Sequence, residues 1–207
     1  MKILSHRGHW REPGEKNSPV AFMRSLELRF GLETDVRDCA GRLVISHDMP
    51  RGSEVCFDHL ISLFHDAGLT LAINVKADGM AAPLKSALAS YNIESWFAFD
   101  MSIPDMRTYL DEELPVFARV SDVERQPAWI DEVAGIWLDS FKVDHYDVRR
   151  IYEFLDVGKQ VCVVSPELHG WSHDPLWAAI QPLADQPGLM LCTDFPDEAR
   201  AFFKKSQ

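Results

Sequence analysis

Short β-rich runs alternate with helical patterns from one end of the chain to the other, and no other feature of the sequence limits the fold so strongly. The strand candidates are KILSH (2–6), LETDV (32–36), LAINVK (71–76), WFAFD (96–100), PVFARV (115–120), GIWLDS (135–140), VCVVS (161–165) and LMLCTD (189–194). RLVIS (42–46) is an extra strand, reached from the second through Ala40-Gly41 as a hairpin partner. Helical segments lie between them, clearest at 19–30, 80–91, 145–157 and 197–205. In the first, Val20, Phe22, Met23, Leu26 and Phe30 recur at helical spacing behind a Ser18-Pro19 N-cap and first-turn pair. Eight β-then-α units with one hairpin predict an α/β fold, a TIM-type (β/α)8 barrel with a small β-hairpin after the second strand, over a single domain, 1–207. An open doubly wound sheet is the competing solution, and no GxGxxG or GxxxxGK[ST] loop speaks for it.

Charge and composition narrow the function classes. A formal net charge of −11 argues against a general nucleic-acid binder, which shows a basic patch or stripe. An acidic protein can still take an anionic substrate where a local cation or bound metal reverses the field. The scattered cysteines, Cys39, Cys56, Cys162 and Cys192, form no CxxC pair, so neither a disulfide framework nor a zinc site is expected. MKILSHRG turns polar too early for a secretory signal, and no stretch is long and apolar enough for a membrane span. A cytoplasmic location without stable membrane insertion is the expectation.

If the strands run parallel, their C-terminal ends open on one face, where barrel enzymes place their chemistry. Read in order, those ends carry His6-Arg7, Glu33 with Asp35, Asn74 with Lys76, Asp100, Arg119, Asp139, Ser165 and Asp194, while the N-terminal ends are bland. A lone strand-end Asp is more often a helix cap than a ligand, which is the plainer reading of Asp100 and Asp139. Glu33 and Asp35 are different. Two apart on a strand, they share a face and repel unless a cation or a shared proton intervenes. Oxygen donors suit Mg²⁺ or Ca²⁺; the plainer alternative is an ion-paired couple with Arg37. His6 and His47 flank the pair, and acid–base chemistry in two directions needs two groups that titrate near neutrality. Asp48, beside His47, reads as a turn residue able to orient the ring. Arg7 and Lys76 would attract an anionic substrate and stabilise charge building on it.

In this order, HRG (6–8), ETDV (33–36), VISHD (44–48), a strand ending in Lys (71–76) and TDFPD (193–197) resemble the glycerophosphodiester phosphodiesterase family. NSPVAF (17–22) is similar to its ENTxxAF segment and FAFDMS (97–102) to its SFD region, so the resemblance runs from end to end. It implies a TIM-type barrel that hydrolyses phosphodiesters with a divalent metal, Mg²⁺ or Ca²⁺. It assigns acid–base roles to His6 and His47, metal binding to Glu33 and Asp35, and phosphate contact to Arg7 and Lys76. It also suggests attack by a neighbouring substrate hydroxyl, giving a cyclic phosphate that water opens.

The sequence departs from the pattern in three places. Asn74 stands where the family has a third carboxylate, and its amide oxygen can coordinate but brings no charge. Lys16 aligns with the glutamate of ENT, Glu15 lying one position away. Val164 replaces a tryptophan, so the substrate wall differs there, with Glu167, His169 and Trp171 expected nearby. Glu167 and Trp171 are accordingly expected to bind substrate, Glu167 favouring a leaving group with an amine or sugar hydroxyls. The expected partner is a small anionic phosphodiester and not nucleic acid. The alternatives are a lyase-like variant that releases the cyclic phosphate and a catalytically weak barrel that only binds the anion.

Overall fold

The structure, a computed structural model, describes residues 1–142 and 147–204. The start of the expected helix 145–157 and the end of 197–205 lie outside the described residues. Among the described residues nine strands form: β1 (Lys2–His6), β2 (Gly31–Cys39), β3 (Arg42–Ile45), β4 (Leu71–Val75), β5 (Trp96–Phe99), β6 (Val116–Val120), β7 (Gly135–Leu138), β8 (Gln160–Val164) and β9 (Leu189–Thr193). All but β3 are parallel and close into an eight-stranded barrel, β1 pairing with both β9 and β2. β3 lies outside the ring, antiparallel to β2. No helix among the described residues is long and apolar enough to cross a membrane.

Among the described residues seven α-helices form, six between strands and the last after β9: α1 (Pro19–Glu27), α2 (Phe57–Phe64), α3 (Ala81–Ser90), α4 (Ile103–Asp111), α5 (Val148–Asp156), α6 (Asp174–Ile180) and α7 (Pro196–Lys204). The expectation of a helix after every strand fails once. The connection 121–134 from β6 to β7 is built of turns. Pro127 withholds an N–H from any helical ladder there, and Trp129 takes a left-handed φ of 49°.

Internal contacts divide the chain into two compact units, one of residues 6–116 and one of residues 1–5 with 117–207. In the first, β2 is buried along residues 31–36, as a barrel strand covered on both faces must be. Its parallel register with β4 sets Glu33 beside Ala72 and Asp35 beside Asn74. Ala40 and Gly41, at φ 49° and 78°, make the two-residue turn into β3. Ser18 caps α1 by accepting from the Ala21 amide, with Pro19 in the first turn as its fixed φ favours. In the second unit, Gly135 lets β7 pack closely: a Cβ there would sit 2.5 Å from the Phe117 ring and 2.7 Å from the Gln160 carbonyl.

Candidate active site

The first unit gathers the polar ends of β1, β2 and β4. Past His6 the chain enters two successive left-handed residues, Arg7 at φ 55° and Gly8 at φ 85°. Only glycine fits the second position, because a Cβ would stand 2.7 Å from the Ala21 Cβ. The conformation of Arg7 carries a steric cost of about 1–2 kcal/mol. The turn aims both ends of Arg7 at β2. Its amide donates to Glu33 Oε2 at 3.1 Å, and its Nε lies 2.9 Å from Asp35 Oδ2. That Nε is otherwise an unsatisfied buried donor, so the contact is an ion pair without an aligned hydrogen bond.

Glu33 and Asp35 are 1% and 0% exposed, so their charges must be answered within the protein. Asp35 is answered three times: by Arg7, by Lys76 Nζ at 3.3 Å from Oδ1, and by Asn17 Nδ2, which donates to Oδ2 at 2.8 Å. Glu33 has the Arg7 amide and His6 Nε2, the latter 3.9 Å away. Burial first, and the Asp35 charge second, push the Glu33 carboxyl up to about 7. The alternative of an ion-paired couple with Arg37 is not what holds these carboxylates. Arg37 donates from Nε to the His47 carbonyl at 3.1 Å.

Linkage gives this a measurable sign. Glu33 rises from an ordinary 4.5 to about 7 on folding, so the folded chain binds its proton more tightly. Its contribution to stability is complete below about 4.5 and is lost as pH rises through about 7. In chelator, the urea midpoint is therefore expected to fall across that window, with the fall absent in Glu33→Gln. A slope unchanged by that substitution would assign it to other groups.

Asn74 faces the same side of the sheet as its register partner Asp35. Its Oδ1 is buried with no hydrogen-bond partner among the described residues, a state that costs about 1–3 kcal/mol. Among the described residues no three His, Cys, Asp or Glu side chains are arranged to hold a metal. A cation here needs the amide oxygen as its third donor. An orphaned amide oxygen, a carboxyl that burial pushes up to about 7, and an all-oxygen donor set fit Mg²⁺ or Ca²⁺.

His47 follows β3 and is 47% exposed. Its Nδ1 donates to Asp48 Oδ1 at 2.9 Å, so Asp48 does orient the ring and leaves Nε2 as the lone-pair nitrogen when the ring is neutral. His47 itself holds Asp48 below the usual carboxylate range, with Arg7 and Arg37 adding to that depression.

Two residues of the loop after β1 acquire roles the sequence did not reveal. Asn17, at φ 58°, joins β2 twice, donating to Asp35 and accepting from Thr34 Oγ1 at 2.8 Å, while its amide donates to the Arg7 carbonyl. It fixes Asp35 and the Arg7 turn together. Glu15 pairs with Arg24 and accepts from the Arg11 amide, which hold it down to about 2, and so it braces the loop. Lys16 stacks over the Trp10 ring at 4.4 Å.

Glu167 and Trp171 belong to the other unit. Glu167 Oε1 accepts from the Thr193 hydroxyl and from the Asp194 amide at 3.0 Å, tying the turn Pro166–His169 to the end of β9. Its Oε2 is buried without a partner among the described residues, and Trp171 is half exposed.

No protein-family profile matches the chain, and no curated protein matches it. Solved structures do. A glycerophosphodiester phosphodiesterase from Agrobacterium tumefaciens superposes at TM-score 0.72 with 16% identity, over 100% of both chains. A protein assigned as a glycerophosphoryl diester phosphodiesterase from Silicibacter pomeroyi gives TM-score 0.73 and 15% identity, over 100% of this chain and 94% of its own. A phosphoribosylanthranilate isomerase from Thermotoga maritima gives 0.53 and 13%, over 99% and 97%. At these identities the likeness is one of fold, and a barrel hosts many reactions, so the site must carry the functional argument.

Proposed function

We propose that residues 1–207 form a single-domain, divalent-metal-dependent phosphodiesterase acting on a glycerophosphodiester or a related small phosphodiester. The observation that carries this is the centre on β2: two fully buried carboxylates, an orphaned amide oxygen on the neighbouring strand, and two cations, Arg7 and Lys76, beside them. Such a centre offers a cation site and an anion site side by side, which a phosphodiester uses at once. The likeness in fold to two phosphodiesterases agrees with this reading.

Glu33, Asp35 and Asn74 would hold the metal, Mg²⁺ or Ca²⁺. When bound, it supplies a Lewis acid that polarises a phosphoryl oxygen. Arg7 and Lys76 bind the diester anion and stabilise the extra negative charge of the transition state. His6 and His47 carry the protons, one accepting from the attacking hydroxyl and the other donating to the departing alcohol oxygen. A neighbouring substrate hydroxyl as nucleophile forms one P–O bond as the other breaks, leaving a cyclic phosphate for water to open. Asp48 keeps the His47 ring in one tautomer for this role. Asn17 and Glu15 position Arg7 and the loop that carries it.

Turnover of glycerophosphodiesters followed by ³¹P NMR, with EDTA or with added Mg²⁺ or Ca²⁺, tests the reading. Metal-dependent loss of the diester signal supports it; a cyclic signal that persists marks the lyase-like form. Anion binding without turnover would replace the hydrolase by a binding barrel. Asn74→Asp is expected to tighten metal binding by about tenfold, since affinity follows the charge of the ligand set. Calorimetry showing equal or weaker binding would remove Asn74 from the metal's ligands.

A further inference from the structure

SIPD, residues 102–105, has the form of a capping box that opens a helix, a Ser with an acid three residues on. Half of the box forms: the Ser102 hydroxyl accepts from the Asp105 amide at 3.3 Å. The Asp105 carboxylate turns elsewhere. Its Oδ1 accepts from the Gly79 amide at 3.1 Å, in the loop between β4 and α3. Its Oδ2 is buried with no hydrogen-bond partner among the described residues. One turn further along α4, Tyr109 is 0% exposed, and its hydroxyl is orphaned in the same way. Positions i and i+4 share a helix face, so both orphaned oxygens lie on one side of α4. All of these residues belong to the unit 6–116.

The two needs differ in kind. Tyr109 lacks a hydrogen-bond partner, which a water can supply. Asp105, 9% exposed, lacks a counter-charge, which a water cannot supply. Among the described residues no Lys, Arg or His pairs with it, and the charge that acts on it belongs to Asp78, another acid. Asp78 and Asp105 both act on Tyr109, so the three groups stand within one another's fields. Lys76, two residues before Asp78, is paired with Asp35 instead. The start of α4 favours a negative charge without neutralising it. Burial, with the Asp78 charge adding to it, raises Asp105 above the ordinary 3.8. Burial and then the two acids push the Tyr109 phenol up as well, so it stays a neutral hydroxyl. Asp78 and Gly79 are exposed, which leaves their end of the cluster open to solvent.

We propose that Asp105 Oδ2, the Tyr109 hydroxyl oxygen and the Asp78 carboxylate bind a small monovalent cation, an alkali ion or ammonium. One positive charge balances the one buried carboxylate, because exposed Asp78 keeps its water. The neutral phenol adds an acceptor oxygen to the two carboxylates. Mg²⁺ suits the place less well, since it demands near-ideal octahedral geometry and dehydrates reluctantly. None of the three residues serves in the diester reading, and the cation site does not depend on it.

The test is a titration of the full chain in EDTA with sodium, potassium or ammonium chloride, ionic strength being held with N-methylglucamine chloride. The pH is about 8, well above the ordinary carboxylate range. The readouts are the ¹³C shift of the Asp105 carboxyl carbon, assigned with Asp105→Asn, and the melting temperature. The expected result is an ionised carboxyl whose shift saturates with a cation. The melting temperature should rise by roughly 3–6 °C at about ten times the Kd. Asp105→Asn should abolish that rise, and Tyr109→Phe should weaken binding by about tenfold. Saturation by sodium or potassium identifies a metal ion; saturation by ammonium alone identifies an amine. The response must survive in Glu33→Gln, because Glu33 belongs to the diester centre, and its loss there overturns the proposal. A carboxyl still protonated at this pH overturns it too, as does an ionised one indifferent to all three cations. Because both readouts work without substrate, failure of diester turnover would leave the cation site standing.

Discussion

Asp35→Asn is expected to reduce turnover to background and to lower unfolding stability by about 3 kcal/mol, the lower end for a broken buried ion pair. The carboxylate has no exposed surface and answers Arg7, Lys76 and Asn17 together. Its amide replacement leaves two cations facing one another with no anion between them. The cost stays at the low end because Arg7 and Lys76 keep 23% and 19% of their side chains in water and can rehydrate in part. Urea denaturation and a turnover assay on the same preparation check both halves. Stability equal to wild type would mean that Asp35 does not organise the site, and the arrangement of Arg7 and Lys76 would need another cause.

The second large effect falls on chemistry and leaves stability nearly alone. His6→Ala is expected to lower kcat by roughly 10²–10⁴-fold, the range for loss of a proton carrier, with KM for the diester little changed. His6 ends β1 with its side chain 13% exposed, and its Nε2 lies 3.9 Å from Glu33 Oε2. It is therefore open to solvent in part and lies close enough to sense the charge of the Glu33 carboxyl. One limb of the pH–rate profile should vanish with the ring. A proportional rise in KM with kcat intact would make His6 a binding residue and move the proton chemistry elsewhere.

Two pairs of this site were legible in the sequence because they follow from strand periodicity. Glu33 and Asp35, and Asn74 with Lys76, are two apart on strands, so the strand period alone puts each pair on a shared face. Arg7 was legible as a cation at a strand end, but not its left-handed backbone, which Gly8 alone hints at. Asn17 was not legible, because an Asn before Ser-Pro reads as an ordinary turn residue and its partners Thr34 and Asp35 are distant in sequence. The bonds that join Arg119 Nη1 and His169 Nε2 to the Asp139 carboxylate were hidden for the same reason: each residue looked like an isolated strand-end or loop residue. The strands were all placed, whereas helix α2 went unremarked although Phe57, Leu60, Ile61 and Phe64 lie at helical spacing. The turn-built 121–134 was the converse, a stretch assigned to a β-then-α unit by the rhythm of its neighbours and not by a stripe of its own.

Everything proposed for the diester site depends on a cation at Glu33. The direct measurement is the melting temperature of chelator-treated wild type and Glu33→Gln at pH 7, each with and without added Mg²⁺ or Ca²⁺. A ligand that binds only the folded state at a hundred times its Kd adds about 2.7 kcal/mol, so the wild-type shift should be several degrees. That shift is predicted in wild type, and its loss in the variant. Equal shifts in both, or none in wild type, would contradict a metal held by Glu33.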